Sequence, residues 1–154
     1  MNDIKYKLLD AKDVALYKKE LINILKMILH ENITQSFNKY LPEKYIDQLP
    51  KYINDKSALI IGAFDKDSLI GFHWCYYLNV FDEKRLHSYF VGILPHYRGL
   101  KIAYRMFQII ENIAKKDGVF VIEAMVTYEN KQAYRYHENQ GFKIERVKMK
   151  KVIK

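Results

Sequence analysis

Residues 86–117 constrain the fold more than any other stretch: a strand, a proline stop, a basic glycine-containing turn and an amphipathic helix follow one another directly. Residues 86–94, LHSYFVGIL, are rich in the β-branched and aromatic side chains that suit a sheet. Pro95 ends the strand because it cannot donate to a ladder. From about residue 100 to 117 the apolar positions Ile102, Met106, Ile109, Ile110, Ile113 and Ala114 recur at helical spacing. Asp117-Gly118 closes that helix, with Gly118 suited to a left-handed cap.

The rest of the chain continues the alternation. Strands are predicted over 3–9, 57–64, 69–80, 119–127 and 142–153. Asp10 can cap a first helix whose face is Val14, Tyr17, Leu21, Ile24, Leu25 and Ile28, with Asp13 in its first turn. A second helical stretch spans about 34–52, broken near Pro42 and again near Pro50. Asn130 can cap a helix over 131–140 that stops at Gly141. The order is β-α-α-β-β-β-α-β-α-β. Strands separated by helices tend to pair in parallel, so the fold class is α/β: a mixed central sheet with helices on both faces.

A chain of 154 residues fits one domain spanning 1–154. Its 49% hydrophobic content supplies a core, and no apolar run is long enough to span a membrane. The first residues lack the apolar stretch of a secretory signal, so a cytoplasmic protein is expected. The single cysteine, Cys75, lies in an apolar run and reads as a buried thiol. No Cys/His cluster has zinc spacing, and no metal is expected. The net charge of +8 attracts anions. The lysines are spread along the chain, however, without the basic and aromatic stripe of a nucleic-acid binder.

The turn after Pro95 can concentrate that attraction. Free backbone N–H groups at a helix start point at one spot, and the helix dipole adds positive charge there. Arg98, Lys101 and Arg105 supply side-chain charge, while Gly99 and Ala103 leave room for a bulky anion. On these grounds the turn is a phosphate or pyrophosphate cradle, or else a basic turn with no ligand. It is neither a Walker loop nor a dinucleotide fingerprint, since G-x-x-x-x-G-K-S/T and G-x-G-x-x-G are both absent.

This segment resembles the acetyl-CoA motif of the GNAT N-acetyltransferases, R/Q-x-x-G-x-G/A following a strand and a V-x-P. Arg98 and Ala103 match, Gly99 matches the common R-G opening, and Lys101 replaces the central glycine. A lysine with ordinary helical dihedrals would still offer its N–H. A second block, residues 130–142, resembles the family's N-x-x-A-x-x-x-Y-x-x-x-G-F: Asn130, Ala133, Gly141 and Phe142 match, and His137 stands in place of the tyrosine. Tyr136 is adjacent but about 100° round the helix. The resemblance covers essentially the whole chain, with specific motifs only between residues 86 and 142.

The resemblance implies direct attack of an amine on acetyl-CoA, with no acyl-enzyme. It implies that Val91, Gly92 and Ile93 bind the pantetheine arm through backbone groups, splayed from the following strand. Gly99, Leu100, Lys101, Ile102, Ala103 and Tyr104, beside Arg98, would hold the pyrophosphate, and Asn130 would contact the arm. His137 is the candidate acid for the leaving thiolate and Glu123 the candidate base, with His87 and Tyr89 as lesser alternatives. Aromatic residues from His73 to Tyr77, with Tyr89 and Phe90, line an acceptor pocket or simply fill the core.

The acceptor is expected to be a small-molecule amine such as an amino sugar. The alternatives are a protein lysine or N-terminal amine, or a non-catalytic acyl-CoA-binding module. No nucleic-acid or membrane partner is expected. The short chain after Phe142 leaves the substrate side either simpler or completed by a second subunit in a homodimer.

Overall fold

The computed structural model describes residues 3–154. Strand β1 (Ile4–Leu8) leads into Asp10, which caps helix α1 (Ala11–Leu16) as expected. The Asp10 carboxylate accepts from the Asp13 N–H at 2.8 Å, and the Asp13 carboxylate accepts from the Asp10 N–H at 3.0 Å. This reciprocal box satisfies two donors that a helix start leaves bare. Lys7 Nζ adds a bond to Asp13 at 2.8 Å.

Burial opposes the Asp13 charge, but the bonds from Lys7 and from the Asp10 N–H outweigh it and hold the carboxyl below the ordinary 3.8. The stability it contributes is therefore complete above that value and is lost as pH falls through the lowered one. Asp10→Ala is expected to cost ~1 kcal/mol, read as a lower urea midpoint at unchanged slope.

The chain breaks helix at Tyr17, so the expected first helix is two: α1 and α2 (Lys18–Asn32). Helix α3 (Leu41–Asn54) starts later than predicted, with Pro42 in its first turn, where a missing N–H costs nothing. Pro50 does not end it. The buried Ile46 and Leu49 anchor the helix across the one lost bond, and it runs on to Asn54.

The strands β2 (Ala58–Asp65), β3 (Ser68–Val80) and β4 (Glu83–Ile93) form an antiparallel meander. Helix α4 (Ile102–Lys116), strand β5 (Ile122–Ala124) and helix α5 (Lys131–Asn139) follow. The sheet order is β1-β2-β3-β4-β5. β5 is parallel to β4, as one crossover helix requires. β1 and β2 are antiparallel despite the helices between them, because the long passes of α2 and α3 cancel.

Helices α1, α2 and α3 cover one face of the sheet, with Leu21, Ile24, Ile28 and Leu49 against Ile60, Phe72 and Trp74. α4 covers the other face, with Ile102, Met106 and Ile110 against Ile61, Ile70, Cys75 and Leu86. Cys75 is fully buried, and burial pushes its thiol well up.

Both helix-ending glycines take the left-handed conformation, at φ +72 for Gly118 and φ +93 for Gly141. The following residues, Val119 and Phe142, return N–H bonds to Ala114 and His137. Each helix thus ends in a Schellman motif, for which glycine is the favoured residue.

Two strand expectations are corrected. Residues 119–127 supply only the three-residue β5. The predicted final strand, 142–153, is absent: residues 142–154 have no regular secondary structure. Their alternation is real, but a strand exists only through a partner's ladder. Here Ile144, Val147 and Met149 remain exposed. The segment is tied down by side chains instead: Phe142 packs on Phe107 and His137, Arg146 lies over the Phe81 ring, and Arg85 makes a two-pronged bond to Glu145 at 2.6 and 2.7 Å.

Candidate active site

β4 and β5 are paired only at residues 86–88 and 122–124; β5 ends at Ala124 while β4 runs on to Ile93, which leaves a gap in the pairing beside β4. At the same place β4 carries a bulge. Trp74 pairs with Phe90 and Cys75 with Ser88, so Tyr89 is the extra residue. His87, Tyr89 and Phe90 consequently all face α3, where they meet Tyr76 and Tyr45. Ser88 faces α4 and bonds His73 Nε2 at 2.7 Å. His73 is fully buried, and that burial, with the nearby His137 charge, lowers it to about 3, so it stays neutral.

The turn after β4 meets the physical requirements of an anion cradle. Among the described residues, the N–H groups of Gly99, Leu100, Lys101, Ile102, Ala103 and Tyr104 have no protein acceptor. The first bond into the helix is Arg105 N–H to the Lys101 carbonyl. Gly99 has φ +84, with open space where a Cβ would stand.

Lys101 departs from expectation. Its dihedrals are φ 60 and ψ 24, left-handed rather than helical. The turn imposes a glycine conformation on a lysine, at a cost of ~1–2 kcal/mol. Lys101→Gly is therefore expected to stabilise the fold by roughly 0.5–1 kcal/mol, after the entropy that glycine forfeits. A thermal melt checks this.

The last turn of α2 holds both lips of the gap. Arg98 Nη2 binds Glu31 at 2.9 and 3.0 Å, and Arg98 Nε donates to the Ile93 carbonyl at 3.0 Å. On the β5 side, Thr127 Oγ1 donates to the Asn32 carbonyl at 2.6 Å, and Asn130 Nδ2 to Asn32 Oδ1 at 2.8 Å.

Residues 25–142, more than half of the chain, match the Acetyltransferase (GNAT) family. The chain belongs to that family. It is 31% identical over 104 residues to N-alpha-acetyltransferase 50 of Danio rerio, covering 67% of this chain and 62% of that protein. It is 28% identical over 109 residues to a spermidine N(1)-acetyltransferase of Thermoplasma acidophilum, covering 70% of this chain and 64% of that one. The chain thus spans less than two thirds of the length of these relatives. Its fold is that of the PaiA N-acetyltransferase of Thermoplasma acidophilum, solved with coenzyme A. The TM-score is 0.74 at 20% identity, over 95% of this chain and 93% of that chain.

GNAT acetyltransferases use acetyl-CoA, and the residues present here fit it: a row of free N–H groups at a helix start, beside a gap between parallel strands. Val91, Gly92 and Ile93 lie on the part of β4 beyond the split. The side chain of Asn130 accepts from the Ala133 N–H and donates to Asn32, which leaves one amide N–H and one oxygen lone pair over. Arg98 likewise braces the turn, because its guanidinium reaches back to Glu31.

His137 Nδ1 lies 2.8 Å from the Ala133 carbonyl. A carbonyl only accepts, so this nitrogen carries the hydrogen and Nε2 is the one left for chemistry. The ring also packs on Phe142, with centroids 5.1 Å apart. Glu123 sits in the middle of the short ladder, one residue before the split, with Oε2 at 2.6 Å from His87 Nδ1 and Oε1 at 3.5 Å from Arg85. Sequence reasoning named Glu123 and His87 separately and missed their contact, since only the β4–β5 register brings them together. It also missed Glu31, Asn32 and Thr127, which carry no motif of their own.

Proposed function

We infer that the chain is an acetyl-CoA-dependent N-acetyltransferase acting on a small primary amine, with polyamines and amino sugars as the leading acceptor classes. One observation carries the reading: the free N–H row of residues 99–104 opens beside the gap between β4 and β5. The wall on the α3 side of that gap is built from Tyr45, Tyr76, Tyr89 and Phe90 with the Glu123 carboxylate. Aromatic faces suit a cation, so an ammonium group is favoured over an anionic acceptor, and the net charge of the chain belongs with the CoA phosphates instead.

Acetyl-CoA supplies the thioester whose acetyl group is transferred. The chain's residues hold its pyrophosphate at the α4 start, guide the arm along Val91, Gly92 and Ile93, and present His137 Nε2 to the sulfur. Only the doubly protonated His137 ring can give that proton, because Nδ1–H is held by Ala133. A peptide N-terminus is the second reading, favoured by the similarity to N-alpha-acetyltransferase 50.

Thiol release from acetyl-CoA tests these readings against spermidine, glucosamine, a kanamycin-type aminoglycoside, and peptides with free N-termini or lysines. Turnover on the first three supports the proposal, and turnover on peptides alone supports the second reading. Saturable acetyl-CoA binding with no turnover on any of them makes the chain a binding module.

A further inference from the structure

We propose that His87, aligned by Glu123, is the base that takes the proton from the acceptor amine; this rests on the acetyltransferase reading above. His87 Nδ1 lies 2.6 Å from Glu123 Oε2. A carboxylate accepts, so Nδ1 carries the hydrogen and Nε2 of the neutral ring holds a lone pair. Glu123 is less suited to be the base itself. One of its oxygens is bound to His87 and the other faces Arg85, whose guanidinium also binds Glu83 at 2.6 Å and Glu145.

The setting is that of a positioned base. The imidazole is only 4% exposed and stacks on Tyr76, with centroids 4.7 Å apart and planes within 18°. Tyr89, the bulged residue, meets its edge at 6.2 Å. His87 and Glu123 are register partners in the middle of the short parallel ladder, one residue before the split. They lie on the aromatic face, opposite the His73–Ser88 pair.

The titratable and charged groups around the ring are Glu123 from β5, Tyr76 from β3, and Tyr89 and Arg85 from β4. Tyr45 of α3 stands behind Tyr89. Burial raises both Tyr76 and Tyr89, so both stay neutral phenols. Glu123 is then the charge that stabilises the imidazolium formed by proton uptake.

The step balances. The amine nitrogen forms its bond to the thioester carbonyl carbon as its proton passes to His87 Nε2. The C–S bond breaks with its electron pair on sulfur, which takes a proton from His137 Nε2. The two imidazoles then re-equilibrate through solvent.

The test uses the full chain with acetyl-CoA and, as acceptor probes, spermidine and glucosamine. His87→Gln is expected to lower kcat/KM by about 10²–10⁴-fold and to abolish the acid limb of its pH profile, with acetyl-CoA affinity unchanged. Glu123→Gln keeps an acceptor for Nδ1–H but removes the charge. It should move the acid limb to lower pH, because the imidazolium loses its neighbouring carboxylate. A role in holding β4 to β5 alone would lower the melting temperature and move neither limb. If wild type turns over a probe and both variants keep its pH profile, His87 is not the base and the acetyltransferase reading survives. If wild type binds acetyl-CoA and acetylates neither probe, the small-amine reading fails and this proposal with it.

Discussion

His137→Phe is expected to lower kcat by about 10²–10⁴-fold, the usual worth of general acid–base catalysis, while acetyl-CoA binds as before. Phenylalanine keeps the ring that packs on Phe142, so the end of α5 stays formed. What it removes is the Nδ1 bond to the Ala133 carbonyl inside α5 and, with it, Nε2, the ring nitrogen with no protein partner among the described residues. His137→Tyr places a hydroxyl where the family carries one and should retain much of the activity. Stopped-time thiol release at saturating acetyl-CoA measures kcat, and calorimetry measures the affinity. A His137→Phe enzyme within about threefold of wild type would leave thiolate protonation to solvent, since that is far below the range for acid catalysis.

The pH response of this variant separates the two imidazoles. In the proposed roles His137 gives a proton and His87 takes one, so wild-type activity is expected to fall on both sides of an optimum. Removing the acid in His137→Phe should flatten the alkaline limb only. The acid limb, which the proposal above assigns to His87, should stay.

Local chemistry was legible in the sequence wherever one residue type solves one local problem. Asp10 caps α1, Gly118 and Gly141 take positive φ at helix ends, and Asn130 caps α5, each as its position predicted. The family blocks were legible for the same reason, since they are themselves turn and cap chemistry. Features that depend on a partner were not. Alternation at 142–153 has no ladder to join, so no strand forms there. The contact between His87 and Glu123 depends on the β4–β5 register, and the bulge at Tyr89 depends on the register of β3. Lys101 marks a further limit. A lysine says nothing of positive φ, yet the turn between Arg98 and Ile102 requires it.

Gly92→Val is expected to destabilise the fold by roughly 2–3 kcal/mol and to weaken acetyl-CoA binding as well. A Cβ at this position would stand 2.4 and 2.6 Å from two side-chain carbons of Ile28. Ile28 is itself 4% exposed and, being β-branched, has little rotamer freedom in a helix, so α2 must move away from β4. That displacement reaches the site because the last turn of α2 carries Glu31 and Asn32. Glu31 holds Arg98 and the turn after β4, while Asn32 holds Thr127 and Asn130 after β5. Both lips of the gap would loosen together, although no residue of the turn itself had changed. Ile28→Ala removes the two clashing carbons, so the double variant should recover part of both losses. Urea melts and acetyl-CoA titrations of the two single variants and the double variant give the coupling directly. Additive losses in stability would mean that Gly92 is small for a reason other than its contact with α2. Recovery of stability without recovery of affinity would mean that the α2 bracket does not set the width of the gap.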